Sequence, residues 1–491
     1  MPFLAVGIMA FSGCNTNDPE NGSSSSSSGT GTTIDNKSDF VEQHVWNDTV
    51  TIVWNGASAE VTNMVDSVTI TNTGGYVSVS SLKSHVAYVV RGEGVGQLRF
   101  DSVNPKFQLI VEDLSLTCND GPAINNQCHK SFYLVLKGTS SLADKSGYNT
   151  TSSANEDLKA ALFSEGQVIV SGDGTMTVTG NNKHAFASDD YVRVRSGKLN
   201  IVANANDGLH TNDGVLIEDG TMNIKAVDEG VNVDEGQFYM SGGSLTVTTS
   251  GTSAKGIKSQ DTLTIAGGTI EVTTPGKESE GIESKSVLII SDGKVTVTAY
   301  DDAINSGSHM YIKGGEVTAV STNNDGLDAN GNLYIQEGII IACGAGSPEC
   351  GIDANEEGGY SVYFTGGSLV SIGGGNSVPT SSESTQAYVS ASVSVSAGQR
   401  ISVADDVATL ISIVVPDSYN PSQGGNPGGG GRWQGPGGGG PGGGGSTGGG
   451  LLISYSAFVS GKSYIITYGS STVEATAQTT GSSSQGGRPG W

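Results

Sequence analysis

The sequence predicts an all-β protein: a right-handed parallel β-helix with three short strands in each coil of about 24 residues, followed by a C-terminal β-module. The composition is one reason, since 74 glycines and only 35% hydrophobic residues suit turn-rich β-structure better than helices. The second reason is a motif, a small residue followed by an aliphatic or aromatic one, that recurs every 22 to 26 residues. The third is that two further alternating runs follow most copies of this motif.

The small residue of each motif, which we term the anchor, marks successive coils. The anchors are Ala161, Ala185, Gly208, Gly230, Gly256, Gly281, Ala303, Gly326 and Gly351. Runs such as "MYIKGG" and "LYIQEG", then "EVTAVS" and "TIEVTT", supply the other two strands between Gly, Asp and Asn turns. One coil cannot bury its aliphatic side chains, but coils stacked about 4.8 Å apart bury a continuous column. Crossover chirality favours the right hand.

Two other repeat classes are excluded by the same spacing. Leucine-rich repeats have a similar period, but their Leu and Asn framework is missing here. The nine-residue glycine-aspartate calcium repeat has a different period. A parallel β-helix is therefore the predicted architecture.

Composition divides the chain into five predicted regions. They are a lipoprotein-type signal at 1–14, a Ser/Gly-rich tether at 15–33, the start of the β-helix at 34–117, the main β-helix at 118–375, and the β-module at 376–491 with a Gly-rich insertion at 424–450. A signal ending at Cys14 predicts lipidation there and a location at the cell surface. The alternative is an uncleaved hydrophobic terminus. The apolar run is too short to span a bilayer.

The four remaining cysteines are even in number, which in an exported chain favours disulfides. The pairs 118–128 and 343–350 each close a short loop and are the expected ones. The other pairings, and unpaired thiols, remain open.

Charge excludes one class of partner and favours another. The chain carries 49 acidic and 24 basic residues, a net charge of −25, so it lacks the basic face that nucleic-acid binding requires. The acids concentrate at 207–235 and at 301–357, and a lysine-bearing stretch lies between them at 253–285. Divalent cations would let such a surface hold an acidic polymer.

Acidic residues recur beside the anchors, where stacking would place them roughly 5 Å apart. Bare carboxylates repel at that distance, whereas Ca²⁺, which takes six to eight oxygens, makes the same cluster favourable. The predicted metal ligands are Asp207, Asp228, Glu229, Asp301, Asp302, Asp325, Asp328 and Asp353. The predicted contacts to a polyanion are Lys255, Lys258 and Lys285. Asp and Asn are also common turn residues, and His210 is interpreted as a bystander.

Several stretches together resemble a family of bacterial secreted carbohydrate-binding proteins. They include "AALFSEGQVIVSGDGTMTVTGNN", "NDGLHTNDGVLIEDGTMNIKAVDEGVNVDEG" and "KGIKSQDTLTIAGGTIEVTT", and the resemblance covers roughly residues 60 to 480. It implies a right-handed parallel β-helix, similar to the family 9 pectate lyases, that binds polygalacturonic acid and carries calcium. The aspartates it implies as ligands are Asp207, Asp228, Asp302, Asp325, Asp328 and Asp353. The pairs Lys183-His184, Ala254-Lys255 and Glu349-Cys350 depart from the acidic pattern.

The predicted function is calcium-dependent, non-catalytic binding of an acidic polysaccharide such as polygalacturonate by a monomer that reaches the membrane only through Cys14. One alternative is a polysaccharide lyase, which needs a basic residue beside calcium; Lys255, Lys258 or Lys285 near Asp302 could supply it, but no signature fixes that base. The second alternative is a structural adhesin or spacer whose aspartates only hold the coils together.

Overall fold

A computed structural model describes residues 37–103, 105–420 and 450–481. The predicted signal at 1–14, the tether at 15–33 and all of 424–450 except its last residue lie outside these ranges. Within them, helical structure is confined to three short 3₁₀ segments, Lys37–Asp39, Val41–Gln43 and Glu356–Gly358. No helix of the described ranges is long and apolar enough to cross a membrane.

Within the described ranges, 39 strands make up the rest of the regular structure. In the N-terminal third they are β1 (Asp48–Gly56), β2 (Ser58–Thr62), β3 (Val68–Thr73), β4 (Tyr76–Ser81), β5 (Val86–Val95), β6 (Gln97–Val103), β7 (Phe107–Thr117), β8 (Ile124–Asn126), β9 (Phe132–Lys137), β10 (Thr139–Ala143), β11 (Ala160–Ser164), β12 (Val168–Gly172) and β13 (Thr175–Gly180). Next come β14 (His184–Ser188), β15 (Tyr191–Val194), β16 (Lys198–Ala203), β17 (Leu209–Thr211), β18 (Gly214–Ile217), β19 (Thr221–Ala226), β20 (Val231–Val233), β21 (Gln237–Met240), β22 (Ser244–Thr249), β23 (Lys255–Ser259), β24 (Leu263–Thr274), β25 (Glu280–Ser284) and β26 (Leu288–Ala299). The last are β27 (Ile304–Ser306), β28 (Met310–Ser321), β29 (Leu327–Ala329), β30 (Leu333–Cys343), β31 (Ile352–Ala354), β32 (Val362–Phe364), β33 (Ser368–Gly373), β34 (Tyr388–Ser392), β35 (Arg400–Ala404), β36 (Thr409–Val414), β37 (Gly450–Tyr455), β38 (Ser463–Tyr468) and β39 (Ser471–Thr476).

The chain divides into two compact units. The first comprises residues up to 248 together with 257–262. In it, the strands at the anchors, β11, β14, β17 and β20, continue a parallel sheet that starts with β4, β6 and β8. We term these strands, and their equivalents in the second unit, the anchor strands. Strands β1, β5 and β7 also pair in parallel, so coil stacking begins near the first strand. The two short strands β2 and β3 differ, since each pairs antiparallel, β2 with β1 and β3 with β4.

The second unit comprises residues 249–256 and those from 263 onward. Its anchor strands β25, β27, β29 and β31 pair in parallel, as do the long strands β24, β26, β28 and β30. At the C-terminal end β37 pairs antiparallel with β33 and β34. Strands β36, β35, β38 and β39 form a separate antiparallel sheet. The prediction of a parallel β-solenoid with about 24 residues per turn and a C-terminal β-module is confirmed.

Stacked aliphatic side chains hold successive coils together. Ile282, Ile304, Leu327 and Ile352 are register partners along the anchor strands of the second unit, and each is fully buried. Burying one such side chain contributes roughly 1.5–3 kcal/mol. Every coil repeats this contribution. The stacked column therefore stabilises the fold, which a single coil could not do.

The anchors are small because the backbone there lies very close to the neighbouring coil. A Cβ atom added to Gly281 would overlap the Val297 side chain and the backbone carbonyl of Ala303 on the next coil. Neither backbone nor a buried β-branched side chain can move away cheaply. The requirement for a small anchor explains why the motif is visible in the sequence.

The cysteine prediction is wrong. Cys118, Cys128, Cys343 and Cys350 are all buried and all present as thiols rather than as disulfides 118–128 and 343–350. Burial in apolar surroundings raises the pKa of Cys118 to about 12 and that of Cys128 to about 11, which keeps these thiols protonated. The side chains act as small core residues.

Candidate functional site

Acidic side chains form a column on the outer face of the anchor strands in the second unit. Asn305, Asp328 and Asp353 are register partners on three successive coils. Each is partly exposed between two buried neighbours on its strand. The spacing between paired strands places Asp328 and Asp353 about 4.8 Å apart, as the anchor spacing predicts.

A second acidic column lies beneath the first, one residue before the anchors. Asp302 and Asp325 are only 5% and 3% exposed. One oxygen of Asp302 accepts a hydrogen bond from the backbone N–H of Asp325 at 3.0 Å. An oxygen of Asp325 likewise accepts from the N–H of Cys350 at 2.6 Å. Each carboxylate therefore links its coil to the next one, as expected if the protein is a structural spacer. Each also has a second oxygen besides the one that accepts this bond.

The electrostatic surroundings of these two carboxylates are unfavourable to anions. Burial raises the pKa of Asp302 well above its usual range, and the carboxylates of Asp328 and Asp325 raise it further. Burial and then Asp353 and Asp328 raise the pKa of Asp325 in the same way. Asp301 also adds to the effect on Asp302. Folding thus concentrates carboxylates where only a cation or protonation makes them stable.

Calcium fits this donor set. Ca²⁺ prefers several oxygen ligands, carboxylates above all, and four carboxylates from three successive coils are near enough here to raise one another's pKa. Ligand atoms of Asp325, Cys350 and Asp353 lie within 4.8 Å of one another. Cys350 offers a thiol rather than an oxygen, so it is a poor calcium ligand. The candidate calcium ligands are therefore Asp302, Asp325, Asp328 and Asp353.

The predicted lysine contacts already have acidic partners in two cases. Lys255 Nζ lies 2.9 Å from an oxygen of Glu280, and Lys285 forms an ion pair with Glu283. Burial opposes the charge on Lys255, but Glu280 outweighs it and raises the pKa. Lys258 follows Asn232 in register on the first unit's anchor strands and is partly exposed.

In the first unit, the predicted ligand Asp207 is surrounded by nitrogen atoms instead. One oxygen of Asp207 lies 2.8 Å from Nδ1 of His210 and 3.2 Å from Nδ1 of His184. Both imidazoles are buried and stack with ring centroids 4.1 Å apart. His210, interpreted from the sequence as a bystander, therefore contacts a predicted ligand, and His184 was missed because its coil lacks the acidic doublet.

Asp228 and Glu229 lie close to Asp207 on the next coil, with ligand atoms of all three within 4.8 Å of one another. Burial, then Asp207 and Asp228, raise the pKa of Glu229 to about 8. Glu229 is therefore mostly protonated at neutral pH. Calcium at these three residues stays a prediction.

An aromatic row in the second unit was also missed. Tyr311, Tyr334 and Tyr363 are register partners on β28, β30 and β32, and their rings stack at 4.8 and 4.7 Å. The repeated tyrosine in "MYIKGG", "LYIQEG" and "VYFTGG" was the available signal. The turn between β29 and β30 joins this row to the Asp328 column, and Asn332 in that turn donates to the hydroxyl of Tyr334 at 2.8 Å.

Comparison with known proteins adds a family. No curated protein matches the sequence. A solved structure described as "Structure of the polysaccharide lyase-like protein from C. thermocellum, Gadolinium derivative" is similar over 50% of this chain and 99% of its own, with 20% identity and a TM-score of 0.44. A family described as "Carbohydrate-binding domain-containing protein" matches residues 64–326 and 243–412. Because these matches span more than half of the sequence, the chain belongs to this family of carbohydrate-binding domain-containing proteins.

Proposed function

We propose that this protein binds an acidic, uronate-containing polysaccharide such as polygalacturonate through calcium, without cleaving it. The family supports carbohydrate binding. The observation that carries the rest is the pair of buried carboxylates, Asp302 and Asp325, on neighbouring coils with Asp328 and Asp353 beside them. A protein that needed these residues only for turns would not bury two of them among like charges.

The calcium ligands in this proposal are Asp302, Asp325, Asp328 and Asp353. The inner pair would neutralise the ion from below, and the outer pair is partly exposed and faces solvent. A bound Ca²⁺ supplies positive charge that can accept further oxygens from a uronate carboxylate. The row formed by Tyr311, Tyr334 and Tyr363 would extend the contact surface with aromatic edges and hydroxyl groups.

Lysine chemistry supports a binder over a lyase. A general base that removes the proton next to a uronate carboxylate must be neutral at working pH. The raised pKa of Lys255 keeps it charged, and Lys285 is engaged by Glu283. Charged lysines can still attract a polyanion, so Lys255, Lys258 and Lys285 remain proposed ligand contacts.

The proposed location is the cell surface, with lipidation of Cys14 as the anchor and residues 15–33 as the tether. A tethered binder would keep a polymer close to the cell. The spacer alternative shares this location but predicts no polymer binding.

The test is retention of the purified protein on immobilised polygalacturonate, in calcium and in chelator, with ultraviolet absorbance of unsaturated uronides read on the same samples. We expect calcium-dependent retention without any absorbance gain. Asp302→Asn and Asp325→Asn should abolish retention. The matched control is Asp292→Asn, which changes an exposed carboxylate of β26 that also accepts a backbone hydrogen bond, from Gly293 at 2.7 Å.

The other outcomes separate the alternatives. An absorbance gain would establish a lyase and contradict the non-catalytic reading. Calcium-dependent stabilisation without retention would favour the spacer. Retention that persists in chelator would refute the role of calcium.

A further inference from the structure

We propose that the first unit carries a separate site for a divalent transition-metal ion of the zinc type, with Nδ1 of His184, Nδ1 of His210 and one carboxylate oxygen of Asp207 as protein ligands. Two imidazoles and a carboxylate are a donor set that such ions prefer and that calcium, which favours oxygen, does not. This proposal is independent of calcium binding in the second unit.

The geometry of the three donors supports an ion. Both Nδ1 atoms lie beside the same oxygen of Asp207, at 2.8 and 3.2 Å. Ligand atoms around a tetrahedral zinc ion with bonds of about 2.0–2.1 Å are about 3.3 Å apart. The two nitrogen–oxygen separations are therefore close to those that coordination requires. The rings stack at 22° with centroids 4.1 Å apart, so at least one imidazole must rotate out of the stack to direct its Nδ1 lone pair at a shared ion.

The distribution of hydrogen bonds around Asp207 points the same way. A third nitrogen, Nδ2 of Asn232, lies 3.2 Å from the same Asp207 oxygen and 3.5 Å from Nδ1 of His210. The other Asp207 oxygen is buried and accepts none of these bonds, and the carboxyl groups of Asp228 and Glu229 lie close to Asp207, with ligand atoms of all three within 4.8 Å of one another. A carboxylate that served only as an acceptor would share its donors between both oxygens, which together offer about four lone-pair positions. Crowding on one oxygen marks a point where ligands converge.

Asn232 adds a second observation. It is 7% exposed, and its side-chain oxygen is buried with no partner within the described residues. The oxygen and nitrogen of a side-chain amide exchange places by rotation. In the rotated form the oxygen points at Asp207 and His210, where it would be satisfied as a fourth ligand.

His210 also has the outer partner that metal-binding histidines usually have. Its Nε2 lies 3.4 Å from a carboxylate oxygen of Asp234, which is 44% exposed. A carboxylate on the far ring nitrogen fixes the tautomer that leaves Nδ1 unprotonated for the metal.

The test uses the full-length protein, stripped of metals with chelator and then titrated with Zn²⁺ in excess Ca²⁺, followed by calorimetry. A parallel titration with Co²⁺ reads the visible absorption that nitrogen ligation produces. We expect one Zn²⁺ per chain and a Co²⁺ spectrum. His210→Gln should weaken Zn²⁺ binding by about 100-fold or more, and Asp234→Asn by about 10-fold, as outer-shell changes typically do. The matched control is His129→Gln, since the His129 side chain is 83% exposed.

Several results would overturn the proposal. One is a wild-type protein that binds no Zn²⁺ in excess Ca²⁺, which would leave the cluster as a hydrogen-bonded triad. Another is unchanged Zn²⁺ affinity in His210→Gln. If circular dichroism shows that His210→Gln does not fold, the exposed Asp234→Asn variant decides, and unchanged affinity there overturns the proposal.

Discussion

Replacing Asp325 by Asn should change stability in opposite directions with and without calcium. The amide oxygen of Asn can still accept the hydrogen bond from the N–H of Cys350, so the coil contact survives while the charge is removed. Two unit charges about 5 Å apart at an effective dielectric constant near 20 repel by about 3 kcal/mol. Because the raised pKa values of Asp302 and Asp325 already indicate partial protonation, we expect Asp325→Asn to stabilise the calcium-free protein by about 1–3 kcal/mol.

Calcium should reverse the order of stability of the wild type and Asp325→Asn. At a free concentration 100 times the dissociation constant, an ion that binds only the folded state stabilises it by about 2.7 kcal/mol. In the proposed calcium site the variant lacks one of four charged ligands, so its stabilisation by the same concentration should fall below about 1 kcal/mol. Wild type should therefore be more stable in calcium, and Asp325→Asn more stable in chelator.

Thermal unfolding followed by circular dichroism measures both orders on the same samples. Asp292→Asn should melt with the wild type in both buffers, since its carboxylate is exposed. If Asp325→Asn melts below the wild type in chelator, the carboxylate is structural and the repulsion argument fails. If it keeps the full wild-type gain in calcium, Asp325 is not a ligand.

Three further outcomes follow from the structure. Because the folded pKa values of Asp302 and Asp325 are raised, the folded state binds more protons, so in chelator the melting temperature should fall as pH rises above about 4, the ordinary range of an aspartate, and saturating calcium should flatten that slope. Arg193→Met removes the fully buried cation that pairs with Asp39 at 3.1 Å. Because burial raises the pKa of Asp39, this carboxylate can protonate when its partner is lost. We therefore expect the variant to lose about 3 kcal/mol of unfolding free energy in urea, the lower end of the cost of breaking a buried ion pair. Gly281→Ala should cost about 1–3 kcal/mol through overpacking, measured the same way.

Each of these has a comparison that would contradict it. A melting temperature in chelator that rises with pH would mean that the two carboxylates are ionised and satisfied. Arg400→Met, at an exposed arginine, should leave stability within about 0.5 kcal/mol; an equal loss there would show that charge removal in general, not burial, is responsible. Gly346→Ala meets no atom within 4 Å, so an equal effect at Gly346 and Gly281 would refute the close-approach explanation.

The fold was predictable because the solenoid repeats its constraints. Each coil needs a small residue where its backbone lies close to the next coil, as at Gly281, and an aliphatic residue directly after it, as at Ile282. One such pair means little in a sequence, but nine copies at nearly constant spacing fix both strand register and coil length. The same spacing placed Asp328 opposite Asp353.

The contacts that each side chain makes within its column could not be predicted from the sequence. Long side chains choose among many rotamers, so the pairing of Lys255 with Glu280 depends on local packing. His184 and His210 are on successive coils, but only the coil of His210 has the acidic residue before its anchor. That both imidazoles contact Asp207 can be seen only from atomic coordinates. The disulfide prediction failed for a related reason. An even number of cysteines does not show whether any two thiols face one another.

Register alone also explains how one architecture can present two kinds of ligand set. The column position one residue before the anchor holds His184 and Asp207 in the first unit and Asp302 and Asp325 in the second. The fold fixes the spacing of that column at about 4.8 Å, whatever residues occupy it. A single substitution therefore changes the donor atom without changing the geometry. Selectivity between calcium and a zinc-type ion would then depend on whether oxygen or nitrogen fills the position, since the backbone that presents them is the same.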